Sequence, residues 1–149
     1  MGMYDQFATD TDLELKGIWI DYGDFRVKLA RAGGANKKHL SYMEKKTKPF
    51  RRAIQAGTMS EERGAEILYD VYAKTVVLDW EVSDGVDKDG MTKWKRGIHK
   101  EDGGILPFTE ENVVQTFKNL PDLFLDLRQA AEGASLFRKE EMEADTKNS

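Results

Sequence analysis

The chain has 149 residues, 40% hydrophobic and 34% charged, with a net charge of −4 and no cysteine. That length favours one compact domain, and the lack of cysteine excludes disulfides, thiolate metal sites and a cysteine nucleophile. No apolar run approaches the ~18 residues needed to cross a bilayer and no basic-then-apolar segment opens the chain, so the expectation is a cytoplasmic protein with no membrane partner.

The net charge hides an asymmetry. Asp24 to Ala56 holds ten Lys or Arg against two acids, Asp24 and Glu44, a net charge of +8 that leaves a net charge of −12 on the rest. Such a split suits nucleic acid at the basic end, or attraction between the two parts or between two copies. The acidic total opposes long-range attraction to phosphate and favours the second.

In chain order, residues 1–12 are polar and read as a flexible leader. Residues 13–31 read as an antiparallel hairpin. Leu13, Leu15 and Trp19 oppose Ile18 and Ile20, then Phe25, Val27 and Leu29 alternate with Arg26 and Lys28, around an Asp21-Tyr22-Gly23-Asp24 turn. Gly33-Gly34 ends it and lacks the spacing of a phosphate loop.

Residues 36–80 read as helices. Asn36 is a cap; Leu40, Met43, Thr47, Phe50 and Ile54 recur at helical spacing; Pro49 kinks or splits the helix and Gly57 ends it. Thr58 with Glu61 is a capping-box pattern, followed by the stripe Ile67, Leu68, Val71, Tyr72, Thr75 and Val76, which Leu78 and Trp80 extend.

Residues 82–108 read as a long loop or small hairpin with three Asp-Gly pairs around Lys93-Trp94-Lys95-Arg96. With Gly90 at position 6 of a calcium loop, positions 1 and 12 are Gly85 and Arg96, so the pairs are turns rather than a calcium site. Met91 to Glu101 looks like an added arm, with Trp94 and Ile98 on its packing side, whose removal should leave the fold intact.

Residues 109–138 read as helices: Thr109 caps Glu110 and Glu111, Val113, Val114 and Phe117 face inward, and Pro121 opens a stripe of Leu123, Phe124, Leu127, Ala130, Ala131, Ala134 and Phe137. Residues 139–149 form a charged tail. The expected fold is α+β, an N-terminal antiparallel β-hairpin packed against a mainly helical body of three to five helices, spanning 13–138 as one domain.

Chemistry is sparse. His39 and His99 have no second ligand at metal spacing, and no activated nucleophile or cofactor loop is visible, so no enzyme activity, cofactor or metal is expected. The candidate partner contacts are Leu123, Phe124, Leu127 and Phe137 of the last stripe, more apolar surface than one small monomer readily covers, together with Trp94; self-association is one expected use. Lys37, Lys38, Lys45, Arg51 and Arg52 are candidate contacts for phosphate or an acidic partner.

The ordered segments resemble a family. The stretches 13–39, 48–62, 71–81 and 106–131 are similar to those of tail assembly chaperones of long-tailed bacteriophages, above all Arg-x-Gly-Gly-x-Asn-Lys-Lys (31–38), Val-Tyr-Ala-x-Thr-Val-Val-Leu-x-Trp (71–80) and Leu-Pro-Phe-Thr-x-Glu-Asn (106–112). The resemblance implies a non-enzymatic protein of the host cytoplasm. Such a protein binds the tape measure protein while tail tube protein assembles around it, and is absent from the finished virion. The alternatives are a structural head-tail or tail component of the virion, and a small nucleic-acid-binding regulator using the basic 26–52 segment; nucleic acid is the less favoured partner.

Overall fold

A computed structural model describes residues 2–138; the expected charged tail at 139–149 lies outside the described residues. The fold is α+β, and its first elements depart from the pattern expected of a loose leader and a long hairpin. Two short helices come first, α1 (Met3–Phe7) and α2 (Thr11–Lys16). Asp10 starts α2, its Oδ1 accepting from the amides of Asp12 at 3.0 Å and Leu13 at 3.4 Å; such a cap satisfies orphan donors of the first turn. The expected leader is therefore held at Thr9 and Asp10. The Asp10 amide donates to Phe137 O at 2.7 Å, and Thr9 pairs with Arg138 in an antiparallel bridge, tying this segment to the other end of the described chain.

The hairpin is shorter than its sequence alternation. Strands β1 (Ile18–Asp21) and β2 (Phe25–Leu29) pair antiparallel with Ile20 opposite Val27. Its turn is the expected one: Asp21 Oδ1 accepts from the Gly23 amide at 2.7 Å.

Helix α3 (Lys37–Thr47) follows, then a 3-10 turn at Lys48–Phe50 and helix α4 (Arg51–Ala56). Pro49, in that turn, divides the two helices because it has no amide hydrogen to give the preceding turn. Helix α5 (Glu61–Thr75) is capped by Ser60, whose Oγ accepts from the Arg63 amide at 3.1 Å; the cap falls two residues after the expected Thr58.

Strand β3 (Val77–Val86) leaves α5 after one residue. Leu78 and Trp80 thus belong to a strand, not to the helical stripe they seemed to extend. Leu29 pairs with Val77 and Lys28 with Asp79, so Leu78 is an extra residue in the ladder. A bulge of this kind reverses the alternation, and it lets Val77, Trp80 and Val82 all be buried.

The expected loop at 82–108 is two hairpins. Strand β4 (Thr92–Arg96) pairs with β3 to complete a four-stranded antiparallel sheet in the order β1-β2-β3-β4, and β5 (Ile98–His99) pairs with β6 (Ile105–Leu106). Two of the three Asp-Gly pairs make turns, whereas Asp84-Gly85 lies inside β3 and corrects the expectation of a turn there. Asp87 Oδ1 accepts from the amides of Asp89 and Met91 at 2.8 and 3.0 Å, and Asp102 Oδ1 accepts from the Gly104 amide at 2.9 Å.

Helices α6 (Glu110–Asn119) and α7 (Pro121–Glu132) close the body, followed by a 3-10 turn at Ser135–Phe137. Thr109 caps α6 as its sequence predicts, accepting from the Asn112 amide at 3.1 Å. The core forms between the inner sheet face, carrying Val27, Leu29, Val77 and Trp80, and the helices α5, α6 and α7. Its centre is aromatic. Phe124 meets Tyr69, Tyr72 and Phe117 with ring centroids 4.8, 5.1 and 5.0 Å apart. Such rings bury the most apolar area per residue and pack best edge-to-face or offset.

Candidate functional site

An apolar concavity lies where the hairpin tip meets the α6–α7 corner. Phe25 forms one wall, Leu120, Pro121 and Leu123 the other, with Trp80 and Ile98 beneath and His99 at the rim. It consists of a small recess of about 60 Å3 adjoining a wider one of about 380 Å3. Leu120 is 53% exposed, as is Leu125 further along α7. A side chain of that size left open to water at a groove offers apolar surface to a partner.

The walls are held in place. Tyr22 stacks on Phe25 at 4.7 Å between ring centroids, and Phe25 stacks on Trp80 at 6.1 Å. The Tyr22 hydroxyl donates to Asp126 of α7, locking the hairpin tip to the helix. Burial first, and then the Asp126 bond and charge, raises the Tyr22 phenol above its ordinary pKa, so that hydroxyl stays a donor. The groove is thus preformed, and its chemistry is that of apolar contact: the rim offers His99, Thr116, Asn119 and Asp122 as polar groups.

The predicted partner residues divide sharply. Phe124 (3% exposed), Leu127 and Phe137 (both 0%) are core, which corrects their assignment as a partner surface. The reason is that α7 lays Phe124 and Leu127 against the aromatic cluster of α5 and α6, while the turn that carries Phe137 packs against α2. Leu123 is half-buried and lines the groove. Sequence reasoning does not single out Phe25, Leu120 or Pro121: Asn119-Leu120 reads only as a helix break, Pro121 as a first helical position and Phe25 as a strand residue.

Trp94 and Ile98, expected on one packing side, are separated. Ile98 is in the core, whereas Trp94 lies half-buried on the outer sheet face. There the Arg26 guanidinium is held between two indoles, 4.2 Å from the Trp19 ring and 4.5 Å from that of Trp94, while its Nε donates to Glu81 at 2.7 Å. Cation–π contact on both faces explains the half-burial of both tryptophans.

Lys37, Lys38, Lys45, Arg51 and Arg52 are all exposed on α3 and α4, and none forms an ion pair among the described residues. They lie on two consecutive helices joined by the 3-10 turn at Lys48–Phe50. The Gly33-Gly34 segment beside them is occupied otherwise. Arg31 Nη1 meets the Glu14 carboxylate at 2.7 Å, and Asn36 donates to the carbonyls of Arg31 and Thr75 at 2.8 and 2.9 Å instead of capping α3 with its side chain. Among the described residues, no group of three or more His, Asp or Glu is placed to hold a metal ion, and no helix is long and apolar enough to cross a membrane.

No curated protein and no solved structure matches the chain. The YdaY prophage protein family matches residues 34–148, from the second glycine of the Gly-Gly pair through both helical regions and the two inner hairpins. That span is most of the chain, so the protein belongs to the YdaY prophage protein family and is phage-derived.

Proposed function

We propose that this prophage protein is a non-enzymatic tail assembly chaperone that holds an apolar segment of the tape measure protein in the groove between Phe25 and Leu120. The observation that carries this reading is the preformed apolar groove itself, with Leu120 half in water beside Leu123 and Pro121. A long helical client exposes apolar stripes that aggregate unless covered. A shallow groove covers such a stripe with few anchors, so the complex dissociates fast and tail tube protein can take its place. The phage origin of the family and the resemblance of the segments 13–39, 48–62, 71–81 and 106–131 support the same reading. On it, the protein works in the host cytoplasm and is left out of the finished particle.

Coexpression with the tape measure protein of the same prophage tests this. The client should stay soluble and copurify, and Leu120→Glu, which puts a charge in the groove at an exposed position, should lose both. An insoluble client with the wild-type chain overturns the chaperone reading. Stoichiometric copies of the protein in purified particles would overturn it in favour of a structural virion component.

A further inference from the structure

Charges at helix ends are usually placed to suit the helix. Acidic residues favour the first turn, where unpaired amides leave a partial positive charge, and basic residues favour the last. Helices α5 and α6 obey, with Glu61 and Glu62, and Glu110 and Glu111, in their first turns. Helices α3 and α4 do the reverse: Lys37 and Lys38 open α3, Arg51 and Arg52 open α4, and neither first turn holds an acid. With Lys45 and Lys48 these make six exposed cations without an ion pair among the described residues. Four of the six work against their own helices, so the fold gives no reason for them. Departures from local preference of this kind mark functional surface.

Apolar residues accompany them. Leu40 is 55% exposed and lies one turn after Lys37; Ile54 is 44% exposed and lies one turn after Arg51. The face therefore calls for a partner that is acidic with apolar contacts between its charges.

The chain carries such a surface elsewhere. Between α5 and α6 run two adjoining shallow cavities of about 340 and 350 Å3 that share Lys118. Their acids are Glu62, Glu66, Asp70, Glu110 and Glu111, of which Glu66, Asp70 and Glu110 pair with Arg63, Lys46 and Lys74, and Ala65 and Val114 supply the apolar floor. Glu62 and Glu111 form no ion pair among the described residues. We propose that the basic face of α3 and α4 of one copy docks in the acidic α5/α6 groove of a second copy. The two surfaces are different patches, so the contact is head-to-tail and builds a ring or an open filament.

Nucleic acid is the competing partner for a basic face, and three observations favour protein. The aromatic rings near the cations are covered, Tyr42 by Lys46 and Lys74 and Phe50 by Arg63, and offer no stacking platform. Leu40 and Ile54 gain nothing against phosphate. The net charge of −4 repels a polyanion at long range. This proposal stands apart from the client groove, which takes Thr116, Asn119 and Leu120 rather than Glu110, Glu111, Val114 and Lys118 from the α6 region.

Sedimentation velocity on the full chain tests it. Wild type should associate at about 0.1 M salt and weaken about tenfold or more at about 1 M, where the screening length falls from roughly 10 to 3 Å. Arg51→Glu/Arg52→Glu should be monomeric, although it places acids where α4 prefers them and so should fold at least as well. Glu62→Lys/Glu111→Lys should also be monomeric. An equimolar mixture of the two variants should associate again, because each then offers the complement of the other. A wild-type monomer at both salts, variants that associate like wild type, or a mixture that stays monomeric overturns the proposal. Binding of monomeric wild type to a DNA duplex or an oligothymidine, lost in Arg51→Glu/Arg52→Glu, overturns it in favour of nucleic acid.

Discussion

Arg31 Nη1 donates to Glu14 Oε2 at 2.7 Å, and Glu14 is only 2% exposed. The other Glu14 oxygen accepts from the Thr9 hydroxyl at 2.9 Å. This pair joins α2 to the segment after β2, and it gives the Arg-x-Gly-Gly-x-Asn stretch a structural purpose. Removing one partner of a buried ion pair strands the other without water. Arg31→Met should therefore cost about 2–3 kcal/mol in urea unfolding, less than the roughly 3–5 of a fully buried pair because Arg31 keeps 21% of its side chain in solvent. Glu14→Gln/Arg31→Met should recover part of that loss. A double variant no better than Arg31→Met alone would show that packing, not charge, sets the cost.

Gly34 and Gly64 should respond to alanine in opposite directions. Gly34 has φ +52°, and a Cβ there would lie 1.8 Å from Glu14 Oε2. Left-handed backbone costs an alanine about 1 kcal/mol, and the clash would also push apart the Glu14–Arg31 pair. Gly64 is inside α5, where the nearest atom to an added Cβ is Met59 Cε at 3.7 Å. There alanine should stabilise by about 0.5–1 kcal/mol through helix propensity. Thermal melts of the two variants that shift the same way would contradict this account.

Removal of Met91 to Glu101 should unfold the protein, against the expectation from sequence. The segment supplies β4, paired with β3, and Ile98, which is 1% exposed in the core. The Gly97 amide also donates to Trp80 O at 3.0 Å, and a Cβ at Gly97, where φ is +151°, would sit 2.4 Å from Ile105 Cγ2. Circular dichroism should show the deletion losing its cooperative transition. Shortening only the Asp87–Gly90 turn, where every residue is exposed, should keep it.

What the sequence discloses follows from how local each signal is. Helices α5, α6 and α7 carry whole stripes at helical spacing, and the Asp21–Asp24 turn carries its own chemistry, so both are legible. Strand β3 is not, because Val76 and Trp80 continue the helical spacing of Tyr72 while the extra Leu78 breaks the alternation that would reveal a strand. Helix α2 is hidden by the alternation of Leu13, Leu15 and Trp19, and its cap, Asp10, lies in a polar stretch. The basic face is visible as a charge run, since its cations are neighbours in the chain. The apolar groove is invisible, since Phe25 and Leu120 meet only after the sheet and the helices have formed. The stripe of α7 was legible as apolar but not as core, because the aromatic cluster that covers it comes from α5 and α6.

The pH dependence of stability should pass through His39. Its Nδ1 lies 3.1 Å from Thr75 Oγ1, which gives its own hydrogen to Val71 O at 2.7 Å. The threonine oxygen can then only accept, so Nδ1 carries the proton and the neutral ring is complete as a donor. Burial against α5, with the ring edge-on to Tyr72 at 5.5 Å, lowers the His39 pKa below the ordinary 6.5, and the Glu132 charge offsets part of that shift. The folded chain therefore binds this proton less readily than the unfolded one. The stability linked to His39 is complete above pH 6.5 and is lost as pH falls through the lowered folded value. Urea midpoints measured from pH 7 down to about 5, above the main carboxylate range, should fall for wild type. His39→Asn, which keeps a donor but does not titrate, should flatten that slope. Glu132→Gln should steepen it, because the anion that favours the imidazolium is gone. Equal slopes for wild type and His39→Asn would remove His39 from this account.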